Sequence, residues 1–190
     1  MPTVGVVAIQ GDFEKHISAL RKTNSKDLHI KEVRVPEDLS DVDRVILPGG
    51  ESTTVGMLMQ RFGLGEALQE SAKAEMPIWG TCMGMILMAS EIEGRPDQYS
   101  LGLMDITVRR NAFGAQVHSF EDEIAIEGID KPITGVFIRA PIVTACRFDA
   151  IPIGKYRGNT VAVRQGNLLG TSFHPELTED VRFHEWFLSL

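Results

Sequence analysis

Apolar and polar positions follow two periods along the first half of the chain, and the switches between them mark the elements. "TVGVVAIQ" is rich in β-branched residues and stops at Gly11, so it reads as a first strand. "DFEKHISALRK" then spaces Phe13, Ile17 and Leu20 as one helical face, with Asp12 as the expected cap and His16 partly exposed. "LHIKEVRVP" alternates as a strand does, and "DRVILPGG" is a third strand broken by Pro48, Gly49 and Gly50. "ESTTVGMLMQRFGLGEALQESAKA" predicts two helical pieces parted near Gly63. "PIWG" is a fourth strand, and "GMILMASEI" a buried helix. Strands alternating with helices predict right-handed crossovers and a parallel sheet covered on both faces.

The second half changes character. "LMDITVRR", "TGVFIRAPIVTACR", "NTVAVRQG" and "NLLGTSFHP" read as strands with tight turns between them, which makes the sheet mixed. "EGRPDQYSLG" reads as a surface loop, and the acidic "FEDEIAIEG" as a solvated strand edge or turn. "TEDVRFHEWFLSL" closes as an amphipathic helix that carries His184, with Thr178 as its cap. The resulting fold class is α/β in three layers: a central mixed, mostly parallel sheet with helices on both faces. No repeat or linker interrupts the 190 residues, so one domain over residues 1–190 is expected.

Composition narrows the chemistry. A net charge of -7 without any basic block argues against nucleic acid and against anionic membranes. The first apolar run lacks a basic region before it and meets Asp12, unlike a secretory signal, and no apolar run is long enough for a bilayer. Two cysteines far apart, Cys82 and Cys146, do not make a disulfide scaffold, so a reducing cytoplasm is the expected compartment and Cys146 a core thiol. His16, His29, His118 and His184 lack metal-ligand spacing. No metal and no cofactor is expected. Met57, Met59, Met83, Met85 and Met88 read as core filler.

Three segments leave strand ends, where open α/β sheets bind ligands: "PGGEST", "GTCMGM" and "SFHPEL". Gly80-Thr-Cys82-Met-Gly84, between strand and helix, has the context of a nucleophile elbow. Its glycines clear a sharp turn, and the helix start favours a thiolate. A buried cysteine in a glycine-rich bend is the bland alternative. His174 and Glu176 flank Pro175, and in an extended segment they face the same way, so the carboxylate can orient one ring nitrogen while the other faces a nucleophile. Together the two signals favour a Cys–His–Glu triad. The Pro-Gly-Gly turn offers unobstructed N–H groups for an oxyanion, or else is an ordinary turn capped by Ser52.

"GTCMGM", "SFHPE" and "PGGEST" together resemble class I glutamine amidotransferases. "AIQGDFEKH", "RRNAFGAQVHSFE", "TGVFIRAP" and "LGTSFHPELTED" are similar, more specifically, to the glutaminase subunits of pyridoxal 5'-phosphate synthases. The resemblance implies Cys82 as nucleophile, His174 as base and Glu176 as its orienting group. It implies glutamine contacts at Gly50, Glu51, Ser52, Arg109, Ile138 and Arg139, with oxyanion donors at Gly50 and Met83. Which arginine meets the substrate carboxylate stays open, and Arg139 reads equally as a structural ion pair. A (β/α)8-barrel synthase subunit is the implied partner in a hetero-oligomer. "AIQGDFEKH" is the expected docking segment, and docking would complete the oxyanion site at Gly50. Met83 and Met85 stand where smaller or branched residues are usual, and Ala115 where a basic one is. A glutaminase subunit of another pathway and a silent regulatory module of the same fold are the alternatives. A relative with histidine directly after the elbow cysteine is opposed by Met83.

Overall fold

A computed structural model describes residues 1–114 and 119–190. Ala115 and His118, both singled out above, lie outside the described residues. The chain alternates β1 (Thr3–Val7), α1 (Phe13–Lys22), β2 (His29–Val33), β3 (Arg44–Leu47), α2 (Ser52–Arg61), α3 (Leu64–Lys73), β4 (Ile78–Thr81) and α4 (Met83–Met88). It continues through β5 (Ala89–Ile92), β6 (Met104–Arg109), β7 (Ser119–Ile124), β8 (Ile133–Ile138), β9 (Ile142–Cys146), β10 (Ile151–Tyr156), β11 (Asn159–Gln165) and β12 (Leu168–Thr171). It closes with α5 (Arg182–Leu188).

Ten strands form one sheet in the order β2-β1-β3-β4-β12-β11-β9-β6-β5, with β10 on β11. The half from β2 to β12 is parallel; beyond it β11 runs antiparallel to β12, β9 and β10, and β6 antiparallel to β9. β7 and β8 pair as a separate hairpin. Strand alternation sorts side chains to the two faces. Val45, Leu47 and Ile78 join α2, α3 and α4 on one face; Val4, Val6, Ile46 and Trp79 join α1 and α5 on the other. Trp79 is the anchor of that second layer, 4.7 Å from the Phe183 ring and 5.6 Å from Phe187. Burying an aromatic of this size contributes on the order of 3 kcal/mol.

Four expectations need correction. The buried helix after Cys82 ends at Met88, because Ala89–Ile92 pairs parallel with β6; that pairing overrides local preference. The last helix starts at Arg182 rather than after Thr178, whose hydroxyl instead donates to Pro175 O and accepts from Asp180 N. Asp12 occupies the cap position of α1 without a side-chain cap bond, and its backbone N–H donates to Gly49 O at 3.3 Å. His16 is fully buried, not partly exposed, and His184 is buried beside it, because α1 and α5 both press on the Trp79 layer.

Candidate active site

Cys82 joins β4 to α4 with φ 50° and ψ -102°, a backbone state rare for a residue with a side chain. The turn is this tight because both flanking positions are glycine. A Cβ on Gly80 would collide with the Gly84 backbone, and one on Gly84 with the Leu47 carbonyl. Cys82 N donates to Thr171 O at 2.7 Å, which ties the elbow to β12. The side chain is half-buried, with its sulfur 3.9 Å from the Ile138 carbonyl oxygen.

β12 is the parallel neighbour of β4, with Thr81 opposite Thr171, so the residues that follow it emerge beside Cys82. His174 N donates to Val136 O at 2.8 Å, and its ring lies over Gly49, whose hypothetical Cβ would sit 2.5 Å from His174 Cε1. His174 Nδ1 is 2.7 Å from Glu176 Oε1. The expected pairing of these two residues is present, but the backbone that makes it is a single 3-10 turn over Pro175–Leu177, not an extended segment. Burial by itself would lower the His174 pKa. The hydrogen bonds with Cys82 and Glu176, and the negative charge of both, outweigh it and push the ring up to about 10. Glu176 is buried, which by itself favours its neutral form, yet the imidazoles of His16 and His174 hold its pKa below the usual carboxylate value.

A small cavity of about 90 Å³ opens at the sulfur. Gly50, Glu51 and Ser52 border it from the start of α2, Met83 and Ile86 from α4, and Ile138 and Arg139 from the end of β8. Partial burial raises the Glu51 carboxyl, but Thr54 and Thr53, whose backbone N–H groups it caps, hold it at about 2. The cap of α2 is therefore Glu51, not Ser52. Arg109 does not reach this cavity. As the last residue of β6 it turns outward to Glu93, with Nε 2.6 Å from Oε2. Arg110, next in the chain, borders the cavity instead, with Nη2 3.7 Å from Glu51 Oε1. Gln98, in the loop before β6, braces both sides: it accepts from Arg110 at 2.8 Å and donates to Ser52 Oγ at 2.9 Å.

The two methionine departures have a spatial account. The Met83 side chain lies against Gly50, and Met85 occupies space over Gly170 that a larger β12 residue would fill. A larger recess of about 460 Å³ beside Met76, Asp149 and Asn167 carries neither cysteine nor histidine on its walls. The arginine of "RRNAFGAQVHSFE" that borders the cavity is thus Arg110, one position beyond the Arg109 that the resemblance implied. Sequence reasoning missed Gln98 altogether, because a lone glutamine in a polar loop carries no signal.

A family model for the SNO glutamine amidotransferase family matches residues 6–190. The chain belongs to that family. A member from Roseiflexus sp. (strain RS-1), called pyridoxal 5'-phosphate synthase subunit PdxT, is 48% identical over 191 residues, 99% of this chain and 100% of the relative. A protein of the same name from Herpetosiphon aurantiacus is 52% identical over 192 residues, again 99% and 100%. A crystal structure described as a glutamine amidotransferase superposes with TM-score 0.92 at 43% identity, covering 98% of this chain and 97% of that one. The amidotransferase family and its α/β fold are thus those the sequence motifs resemble.

Proposed function

We propose that this amidotransferase hydrolyses L-glutamine to glutamate and ammonia with Cys82, His174 and Glu176, and hands the ammonia to a synthase subunit that makes pyridoxal 5'-phosphate. The observation that carries the reading is the buried His174–Glu176 contact of 2.7 Å, with the His174 ring also hydrogen-bonded to Cys82, which borders the cavity. The relatives' name supplies the pathway. Glutamine is a zwitterion, and the cavity borders a matched pair: the guanidinium of Arg110 for its carboxylate and the carboxylate of Glu51 for its ammonium.

In the first step the Cys82 sulfur, as thiolate beside an imidazolium, attacks the side-chain amide carbon. The carbonyl oxygen takes the negative charge, and the backbone N–H groups of Gly50 and Met83, two residues that border the cavity, are its proposed donors. His174 gives its proton to the departing nitrogen, the C–N bond breaks and ammonia leaves. The resulting thioester sulfur carries no charge, so one of the two influences that held the ring at about 10 is gone. Neutral His174 then takes a proton from water, hydroxide adds to the thioester, and glutamate and the thiolate are regenerated. Glu176 keeps the ring in one tautomer through both steps.

We read residues 1–190 as one glutaminase domain, working in the cytoplasm against a (β/α)8-barrel partner in a hetero-oligomer. Among the described residues no helix is long and apolar enough to cross a membrane. Glutaminase assays with and without the synthase subunit test the whole proposal. Cys82→Ala or His174→Ala in the complex should lower hydrolysis by about a thousandfold or more. A complex that releases no ammonia from glutamine, or a Cys82→Ala complex at full activity, overturns it.

A further inference from the structure

Behind the triad lies a second pair of imidazoles that the chemistry above does not use. His16 on α1 and His184 on α5 are fully buried and meet at 3.1 Å, Nδ1 to Nε2. The other edge of the His16 ring faces the catalytic strands. Its Nε2 lies 3.1 Å from Thr81 Oγ1, in the residue before the nucleophile, and 3.5 Å from Glu176 Oε1. Trp79 packs edge-on against both rings, at 5.2 and 4.9 Å.

The protons of this cluster have one self-consistent arrangement. Burial lowers the pKa of both histidines, His184 to about 3, so each ring is neutral and carries a single N–H. Placing the His16 proton on Nδ1 would aim an Nε2 lone pair at the Glu176 carboxylate. It would also force the His184 proton onto Nδ1, a buried atom with no partner among the described residues. An orphaned buried N–H and a lone pair against a carboxylate are both unfavourable. The reverse arrangement removes both faults: His184 Nε2–H donates to His16 Nδ1, and His16 Nε2–H points at Thr81 Oγ1 and Glu176 Oε1. Among the described residues it leaves without partners only a lone pair on His184 Nδ1 and the far Glu176 oxygen, Oε2, neither of which carries a proton.

We propose that His16 is a positioning residue for the triad, its Nε2–H holding Glu176 from behind while His184 holds His16 in the required tautomer. The same carboxylate oxygen accepts from His174 Nδ1 and faces His16, so it cannot swing from one without abandoning the other inside the core. Cys82 acts on this carboxylate only through His174. The proposal rests on the glutaminase reading for the name of the reaction and on the buried geometry for everything else.

Three variants test it in the complex: His16→Leu, which removes the donor; His16→Gln, which returns an N–H near the Nε2 position; and His184→Leu, which removes the tautomer lock. His16→Leu should lower kcat about tenfold with KM unchanged, and should move the pH of half-maximal Cys82 alkylation by iodoacetamide up by about one unit. His16→Gln should recover most of both, and His184→Leu should shift the alkylation profile the same way by less. A purely structural role lowers the melting temperature of His16→Leu and leaves the alkylation profile in place, which overturns the proposal. So does a His16→Gln protein that folds yet matches His16→Leu in both readouts. Should His16→Leu not fold, the alkylation profile of His184→Leu decides by the same criterion. If wild type alkylates as described but does not hydrolyse glutamine, the substrate reading fails, and the profiles still decide for His16.

Discussion

Gly49→Ala is the sharpest test of how the base is held. The new methyl carbon would sit 2.5 Å from His174 Cε1, and ordinary contact begins near 3.4 Å, so the ring must retreat by about 0.9 Å. It has little freedom to do so: His174 is 4% exposed, and its Nδ1 is tied to a carboxylate that is itself buried. No left-handed backbone is required at Gly49, so the substitution adds no dihedral strain, and the gain from a less flexible unfolded chain is about 0.4–1 kcal/mol. Stability should therefore fall by about 1–3 kcal/mol of overpacking less that gain, whereas a misplacement of this size in the proposed base lowers turnover by about a hundredfold. The assay is kcat of the complex alongside thermal denaturation of the isolated chain. Near-normal kcat in a Gly49→Ala protein would refute the claim that backbone contact at Gly49 sets the position of His174. A collapse in melting temperature would show that the loop, not the ring, absorbs the clash.

Three further outcomes follow from the site. Arg110→Met should raise KM at least tenfold, while Arg109→Met, which loses only an exposed pair with Glu93, should leave KM unchanged; equal effects would return the substrate role to Arg109. Glu51→Ala removes the α2 cap, at a cost of about 1 kcal/mol, read as a fall of roughly 2–4 °C in melting temperature. Because the Glu51 pKa is depressed from 4.5 to about 2, that contribution is present above pH 4.5 and fades as pH falls toward 2, so the wild type and variant melting temperatures should converge in acid. His174 is the opposite case. Its raised pKa means a stabilisation complete below about pH 6.5 and lost as pH rises through 10, so the difference in unfolding free energy between wild type and His174→Ala should shrink across that alkaline window.

The sheet was legible where period and punctuation agree. β1, β3 and β4 are short apolar runs ended by glycine or proline, and the elbow shows itself because Gly80 and Gly84 have no other use. Elements decided by long-range pairing were less so: Ala89–Ile92 looks helical until β6 lies beside it. At the site, Cys82, His174 and Glu176 stand out by residue type and spacing. The side of a strand end is another matter. Arg109 and Arg110 are chemically identical neighbours, and only the outward turn of the last β6 residue separates them. Burial of His16 was illegible for a related reason. Its helix has an apolar stripe without it, and the partners that make an inward histidine acceptable, Thr81, Glu176 and His184, lie 65 to 168 residues away.

The strand order also has a consequence in time. β12, among the last elements to be synthesised, inserts between β4 and β11 in the middle of the sheet. Residues 168 to 176 deliver the other parallel neighbour of β4, the base and the carboxylate in one continuous stretch. On the proposed reading, the stretch that completes the parallel half of the sheet is also the stretch that completes the triad.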